Sequence, residues 1–174
     1  SSDLVFIIGT YDENGVADAM NAAWGGISET NEISICLGTE HKTVANLKKT
    51  GAFTVSMGDA QHVAACDYVG IVSGNKVTDK MEKAGFTVTK SEFVNAPVIN
   101  ELSVCLECKV KSYDEDACRL IGEIVNISVD ESVLTDGKVD VEKVQPISFD
   151  PFNNAYHVLG QKVGNAFSDG KQLK

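Results

Sequence analysis

A mainly β, antiparallel barrel, closed or split, with peripheral helices is the fold class this sequence predicts. Three observations lead there. Short β-branched and aromatic runs recur along the chain, turn signals separate most of them, and helical periodicity is confined to two or three brief excursions. A doubly wound parallel sheet would instead carry long crossover helices, and no G-x-G-x-x-G follows the first strand. The 174 residues suit one domain over 1–174, since a chain of about 150 residues buries roughly 70% of its unfolded surface.

Residues 4–11 (Leu-Val-Phe-Ile-Ile-Gly-Thr-Tyr) form the first strand. Asn14-Gly15 follows as a hairpin turn, because both residues tolerate positive φ, and Val16 to Trp24 is the returning strand. Ile33, Ile35 and Leu37 alternate with polar residues in a third strand, which leads through Gly38-Thr39 into a short helix over 41–49. Ala52 to Met57 is the next strand. Asp59 is expected to cap a helix over 60–69, Ser73-Gly74-Asn75 to break it, and a second helix to run from Thr78 to Lys83 and stop at Gly85. Two long strands follow, 102–113 and 117–129, the second with Ile121, Val125, Ile127 and Val129 on one face. Residues 139–144 read equally as helix or strand. The segment 156–167 carries a helical stripe of Val158, Leu159, Val163 and Phe167, weakened by Gly160 and Gly164.

The formal net charge is −10, a field that repels nucleic acid and anionic membranes, so neither is an expected partner. No apolar run reaches the roughly 18 residues that span a bilayer, and no secretory signal is visible. The chain does begin abruptly at Ser1 in front of an apolar strand, which leaves room for a preceding segment. Five cysteines, an odd number, point to reduced thiols and a cytoplasmic setting, without assigning a role to Cys36, Cys66, Cys105, Cys108 or Cys118. Cys105 and Cys108 have metal-ligand spacing but lie three apart on a strand, where side chains point to opposite faces, so a structural role is expected and no metal site. His62 and His157 stand alone, and no catalytic acid–base constellation is visible.

Two segments carry chemistry. Met20-Asn21-Ala22-Ala23-Trp24-Gly25-Gly26 gathers small residues around the only tryptophan, a strand end that a flat ring can approach, although a lone tryptophan also suits a core. His41-Lys42-Thr43 opens a helix, whose N-terminal N–H groups and positive dipole end favour a phosphate; a capped surface helix fits the same residues. Lys48 and Lys49 sit at the other end, where cations complement the dipole, and are read as structural.

The order of these segments resembles the flavin reductase-like family of FMN-binding split β-barrels. The likeness runs from Gly9–Gly15 and Asn21–Gly26 through His41–Leu47, Asp67-Tyr-Val-Gly-Ile-Val-Ser-Gly74 and Asp79-Lys80-Met81 to Asn95-Ala-Pro97, Leu106-Glu-Cys108, Ile121-Gly-Glu123 and Tyr156–Gly160. Thr30-Asn31-Glu32 replaces a frequent Asp-Pro-Pro, and Lys42 stands where an aromatic is frequent. The resemblance implies a homodimeric, Greek-key antiparallel split barrel holding FMN at the subunit interface. By position, Asn21, Ala22, Ala23 and Trp24 would line the ring and ribityl, and Thr39, His41, Lys42, Thr43 and Asn46 the phosphate. Ser73, Gly74 and Lys80 would approach from a neighbouring loop or the second subunit. The implied function is an FMN-dependent oxidoreductase fed by NADH or NADPH. The alternative is a flavoredoxin-like electron carrier whose acidic surface docks on a basic redox protein.

Overall fold

The structure, a computed structural model, describes residues 3–173. Seven antiparallel strands curl into one sheet, laid side by side in the order β3 (Ala17–Ala22), β2 (Phe6–Tyr11), β6 (Ala52–Met57), β9 (Val104–Asp114), β10 (Arg119–Val129), β5 (Glu32–Cys36) and β4 (Gly25–Glu29). The barrel is split. Its two edge strands, β3 and β4, are joined in sequence through Ala23 and Trp24 but do not pair with each other. A smaller sheet of β1 (Asp3–Leu4), β13 (Ile147–Asp150) and β14 (Ala155–Val158) stands outside, as do the paired strands β7 (Val88–Lys90) and β8 (Pro97–Ile99) and the hairpin of β11 (Leu134–Thr135) and β12 (Lys138–Val139). Helices α1 (Lys42–Thr50), α2 (Val63–Ile71), α3 (Lys80–Ala84) and α4 (Val141–Val144) pack on the periphery.

Strand β2 explains the layering. Phe6 and Ile8 point into the barrel with Phe53, Val55, Ile33, Ile35 and Leu120, whereas Ile7 points outward against Cys66 and Val69 of α2. A strand buried on both faces reads as a continuous apolar run, which is how residues 4–11 read. The hairpin to β3 turns at Gly15 (φ 78°), where Asp12 accepts hydrogen bonds from the amides of Asn14 and Val16, both at 2.9 Å. Only the glycine of the Asn-Gly pair takes a positive φ.

Several expectations are corrected. The returning strand stops at Ala22, and Gly25–Glu29 forms an unforeseen strand whose glycines hide its β character. Asp59 does not cap α2; it accepts from the His62 amide at 2.8 Å one turn earlier, and the helix starts at Val63. Ile121, Val125, Ile127 and Val129 do not share a face, because a bulge at Val125 shifts the register and Leu120 and Ile124 take the interior positions. Residues 139–144 hold both the end of a strand and a short helix. The C-terminal stripe is no helix: β14 ends at Val158, and Val163 and Phe167 are 96% and 99% exposed, so the described residues of this chain do not bury the stripe. Cys105 and Cys108 do face opposite ways. Cys108 lies in the barrel core, Cys105 beside Ser56 and Thr54, and burial pushes the thiols up to about 12 and about 11 respectively.

A polar knot fastens the outside of the barrel. Glu107 is 2% exposed and accepts from Asn126 Nδ2 at 2.7 Å and from the hydroxyls of Ser91 and Ser128. Burial pushes its carboxyl up, yet those donors from Ser128, Ser91 and Asn126 hold it below the ordinary value. A lowered folded-state pKa means stability that is present above the unfolded value and is lost as pH falls through the folded one. Glu107→Gln should therefore be less stable at neutral pH by about 1–3 kcal/mol. Urea unfolding over an acid pH series should show that gap closing as Glu107 protonates; a gap independent of pH would contradict the ionised assignment.

Candidate functional site

The gap between β3 and β4 opens into a groove made of two adjoining cavities that share Met20, His41, Gly70 and Ile71. The first, about 320 Å³, is lined by Asn21, Ala22, Ala23, Trp24, Cys36 and Leu37 on the barrel side, and by Asp67, Phe149 and Tyr156 opposite. The second, about 220 Å³, is lined by Asp18, Lys42, Thr43, Ser73, Gly74 and Lys80. One end is therefore apolar and aromatic, the other cationic.

The aromatic end is fixed by close packing and by hydrogen bonds. Gly70 lets α2 press onto β3, since a Cβ there would stand 2.9 Å from the Asn21 Cβ. Asn21 donates through Nδ2 to the Cys66 carbonyl at 3.0 Å, and the Tyr156 hydroxyl donates to Asp67 Oδ1 at 2.8 Å. Burial first, then the Asp67 carboxylate, pushes the Tyr156 hydroxyl up to about 12, so it remains a donor at neutral pH. Phe149 and Tyr156 hold each other, with ring centroids 5.9 Å apart. Trp24 is no core residue: it is 53% exposed and forms one wall of the mouth.

At the cationic end, α1 begins at Lys42 with His41 at its N-cap and no side-chain capping bond. The first helical amide bonds run from Val44 and Ala45 to the His41 carbonyl, which leaves the Lys42 and Thr43 amides without a carbonyl partner in the helix. Thr43 Oγ1 is buried and has no hydrogen-bond partner among the described residues, an uncommon condition that a ligand acceptor would relieve. Lys80, 3% exposed, places Nζ 3.7 Å from Oδ1 of Asp18, itself 3% exposed. Burial pushes Asp18 up against the pull of Lys80 and Lys42, and pushes Lys80 down against the pull of Asp18. Burial thus outweighs the mutual attraction in both groups, and Lys80 and Lys42 are the two ammonium groups that line this end. Lys42 Nζ lies 3.7 Å from Asp12 Oδ2. Gly74 gives the Asp18 carboxylate room, because a Cβ here would fall 2.3 Å from Asp18 Oδ1 and displace it. Asn75 donates to the Glu40 carbonyl at 3.3 Å, tying this loop to the turn before α1.

Of the residues expected from sequence, Asn21, Ala22, Ala23, Trp24, His41, Lys42, Thr43, Ser73, Gly74 and Lys80 line the groove, all within one chain. Two do not. Thr39 is exposed on the preceding turn, and Asn46 is turned into the protein, where Nδ2 donates to Thr10 Oγ1 at 3.0 Å and pins α1 to β2. Lys48 and Lys49 pair with Glu115 and Glu13 away from the groove. Sequence reasoning missed Asp18, whose partner Lys80 is 62 positions away, and Phe149; Asp67, Gly70 and Tyr156 carried a signal only as members of the quoted motifs. In a separate polar cavity of about 400 Å³, His62 Nδ1 lies 2.8 Å from Asp59 Oδ1 and Lys143 donates to the Leu134 carbonyl at 2.6 Å. Among the described residues, no helix is long and apolar enough to cross a membrane, and no group of three or more His, Cys, Asp or Glu is placed to hold a metal ion.

Known proteins share this architecture. The structure superimposes on the flavoredoxin of Desulfovibrio vulgaris (Miyazaki F) with a TM-score of 0.92, 35% identity and coverage of 97% of this chain and 93% of that one. For the flavoredoxin from Methanosarcina acetivorans the values are 0.91, 29%, 99% and 93%. An FMN-binding domain of a flavin reductase-like enzyme from Shewanella baltica, at 15% identity and a TM-score of 0.85, shares the fold. Among sequence relatives, uncharacterized proteins of Halalkalibacterium halodurans and Aquifex aeolicus are 33% and 34% identical over 119 and 108 residues. Those matches take in 64% and 60% of this chain but only 56% and 55% of the relatives' own lengths. The family model described as flavin reductase like domain matches residues 2–147, most of the chain, and the protein therefore belongs to the flavin reductase-like family of split barrels.

Proposed function

We propose that the chain binds FMN in the split-barrel groove and works as an FMN-dependent oxidoreductase, taking electrons from NADH or NADPH. One observation carries this reading above the others. The buried, unpartnered Thr43 hydroxyl lies with Lys42, Lys80 and two free helix amides at one end of a groove whose other end is aromatic. Those groups fit a phosphate: two cations, a hydroxyl donor and amide donors at the positive end of a helix. Met20, Leu37, Trp24 and Tyr156 fit the apolar faces of a ring system, and Asn21 and the backbone of Ala22 and Ala23 fit its polar edge.

When bound, FMN supplies the redox chemistry itself, so the chain need only bind, orient and shield it. Lys42, Thr43 and Lys80 hold the phosphate and fix how far the cofactor enters. Asn21 and Tyr156, locked by the Cys66 carbonyl and Asp67, keep the ring cavity in shape. Trp24 and the exposed Ile71 flank the mouth, through which a partner would reach the ring. The reading includes a homodimer, as the likeness to the flavin reductase-like family implies.

A second reading, an electron carrier of the flavoredoxin type, is favoured by the 35% identity to a flavoredoxin and by the net charge of −10, which suits a basic redox protein. Anaerobic addition of NADH or NADPH to the FMN-loaded protein separates the two. Rapid loss of the flavin absorbance is the result expected of a reductase. Absorbance that persists with NAD(P)H and falls with a reduced ferredoxin would replace it with the carrier.

A further inference from the structure

Beside the mouth of the ring cavity lies a third pocket, of about 290 Å³, lined by Trp24, Gly25, Gly26, Ile27, Ser28, Ser34, Cys36 and Arg119. Arg119 is the only arginine in the chain. It opens β10 directly opposite Cys36 of β5, and its guanidinium Nη1 lies 3.5 Å from Ser34 Oγ, a long contact that leaves most of its donors free. Among the described residues it makes no ion pair, and no carboxylate lines the pocket, although the chain carries 25 acidic residues. Its cross-strand neighbour on β9 is Asp114, whose Oδ1 accepts from the Ala117 amide at 2.9 Å and which forms no ion pair with the guanidinium, so Arg119 presents a local anion receptor inside a repelling field.

Position gives that receptor a purpose. Trp24 and Cys36 belong to both this pocket and the ring cavity, and the Cys36 amide donates to the Trp24 carbonyl at 2.8 Å, so the two spaces meet across one pair of residues. Lys42 and Lys80, which serve the phosphate end, line neither this pocket nor its rim. We propose that Arg119 anchors a second subsite, holding the carboxylate or phosphate of a small organic redox partner whose ring reaches the flavin past Trp24 and Cys36. The inference rests on the flavin reading above and names the chemical class that approaches the open side: a planar anion. The two sources of such an anion are the phosphates of a nicotinamide dinucleotide and the carboxylate of an aromatic acid. Both suit the fork of a guanidinium, and the sources are separable by experiment.

Two substitutions test the subsite in different ways. Arg119→Gln removes the charge from an exposed side chain. Gly26→Leu instead fills the pocket, and a Cβ at Gly26 would meet nothing within 4 Å, so the fold has room for it. Both are predicted to leave FMN affinity unchanged. Calorimetric titration of the FMN-loaded protein with NAD⁺, which cannot reduce the flavin, and separately with benzoate is predicted to show binding of at least one probe. Its dissociation constant should rise by about tenfold or more in each variant and recover in part in Arg119→Lys. An effect on NAD⁺ alone identifies nucleotide phosphate as the anion; an effect on benzoate alone identifies a carboxylate substrate. The proposal is overturned if neither probe binds, or if the variants bind them as the unaltered chain does. The same titrations without flavin keep the two claims apart. FMN binding with no Arg119-dependent probe removes the subsite alone, whereas Arg119-dependent probe binding in a chain with no FMN affinity removes the flavin reading alone.

Discussion

Replacing Lys42 and Thr43 together by alanine is expected to weaken FMN binding by at least about tenfold while leaving riboflavin binding almost unchanged. Each charge-assisted hydrogen bond to an anion contributes roughly 1.5–3 kcal/mol, and these two side chains offer one each. The loss of Thr43 Oγ1 costs the free protein little, because that hydroxyl has no partner to forfeit. Riboflavin lacks the phosphate, so it reports only on the ring cavity, which Met20 to Trp24 and Tyr156 build. Parallel fluorescence titrations with the two flavins check the prediction. Equal losses for both would place the phosphate elsewhere.

The largest effect on stability is expected at Phe53. Its ring is wholly buried at the barrel centre, and its Cζ stands where a Cβ on Gly122 would come, at 2.3 Å. Phe53→Ala should cost about 3–5 kcal/mol through lost burial and the cavity left behind. Gly122→Ala alone should also destabilise, by overpacking against that ring. The two defects are complementary in shape, so the double variant should be more stable than the sum of the single losses predicts. Chemical unfolding of the four proteins measures this cycle, and simple additivity would show that Phe53 and Gly122 do not share a space. A ΔΔG of this size is a large part of a typical folding free energy of about 5–15 kcal/mol.

Much of the fold was legible because the barrel strands carry their own signals. Residues 4–11 are apolar on both faces because both faces are covered, and the Asp12–Gly15 turn announces its hairpin. What escaped was set by tertiary context. Gly25 and Gly26 look like a loop but pair with Ile35 and Ser34, since the edge of a split barrel tolerates strands without large side chains. The Val125 bulge inverts an alternation that looked regular in sequence. The C-terminal stripe had helical spacing, but the described residues of its own chain do not cover it.

The candidate site was legible in a different way. Backbone-led features stood out, namely the small-residue strand end and the basic helix start, and Trp24 and Thr43 are where those features lead. Asp18 and Lys80 escaped pairing because 62 positions separate them, and only the docking of α3 brings an ammonium to that carboxylate. Asn46 shows the opposite error. It lies one turn beyond Thr43, and that turn carries it onto β2, so its amide serves packing.

The most direct test of the central claim is the visible spectrum of the purified chain before and after equilibration with FMN and removal of the excess. The expected result is a yellow protein with the two-band absorption of oxidised flavin, retaining FMN through gel filtration and losing it when Lys42 and Thr43 are both alanine. A colourless protein that retains no FMN would contradict it.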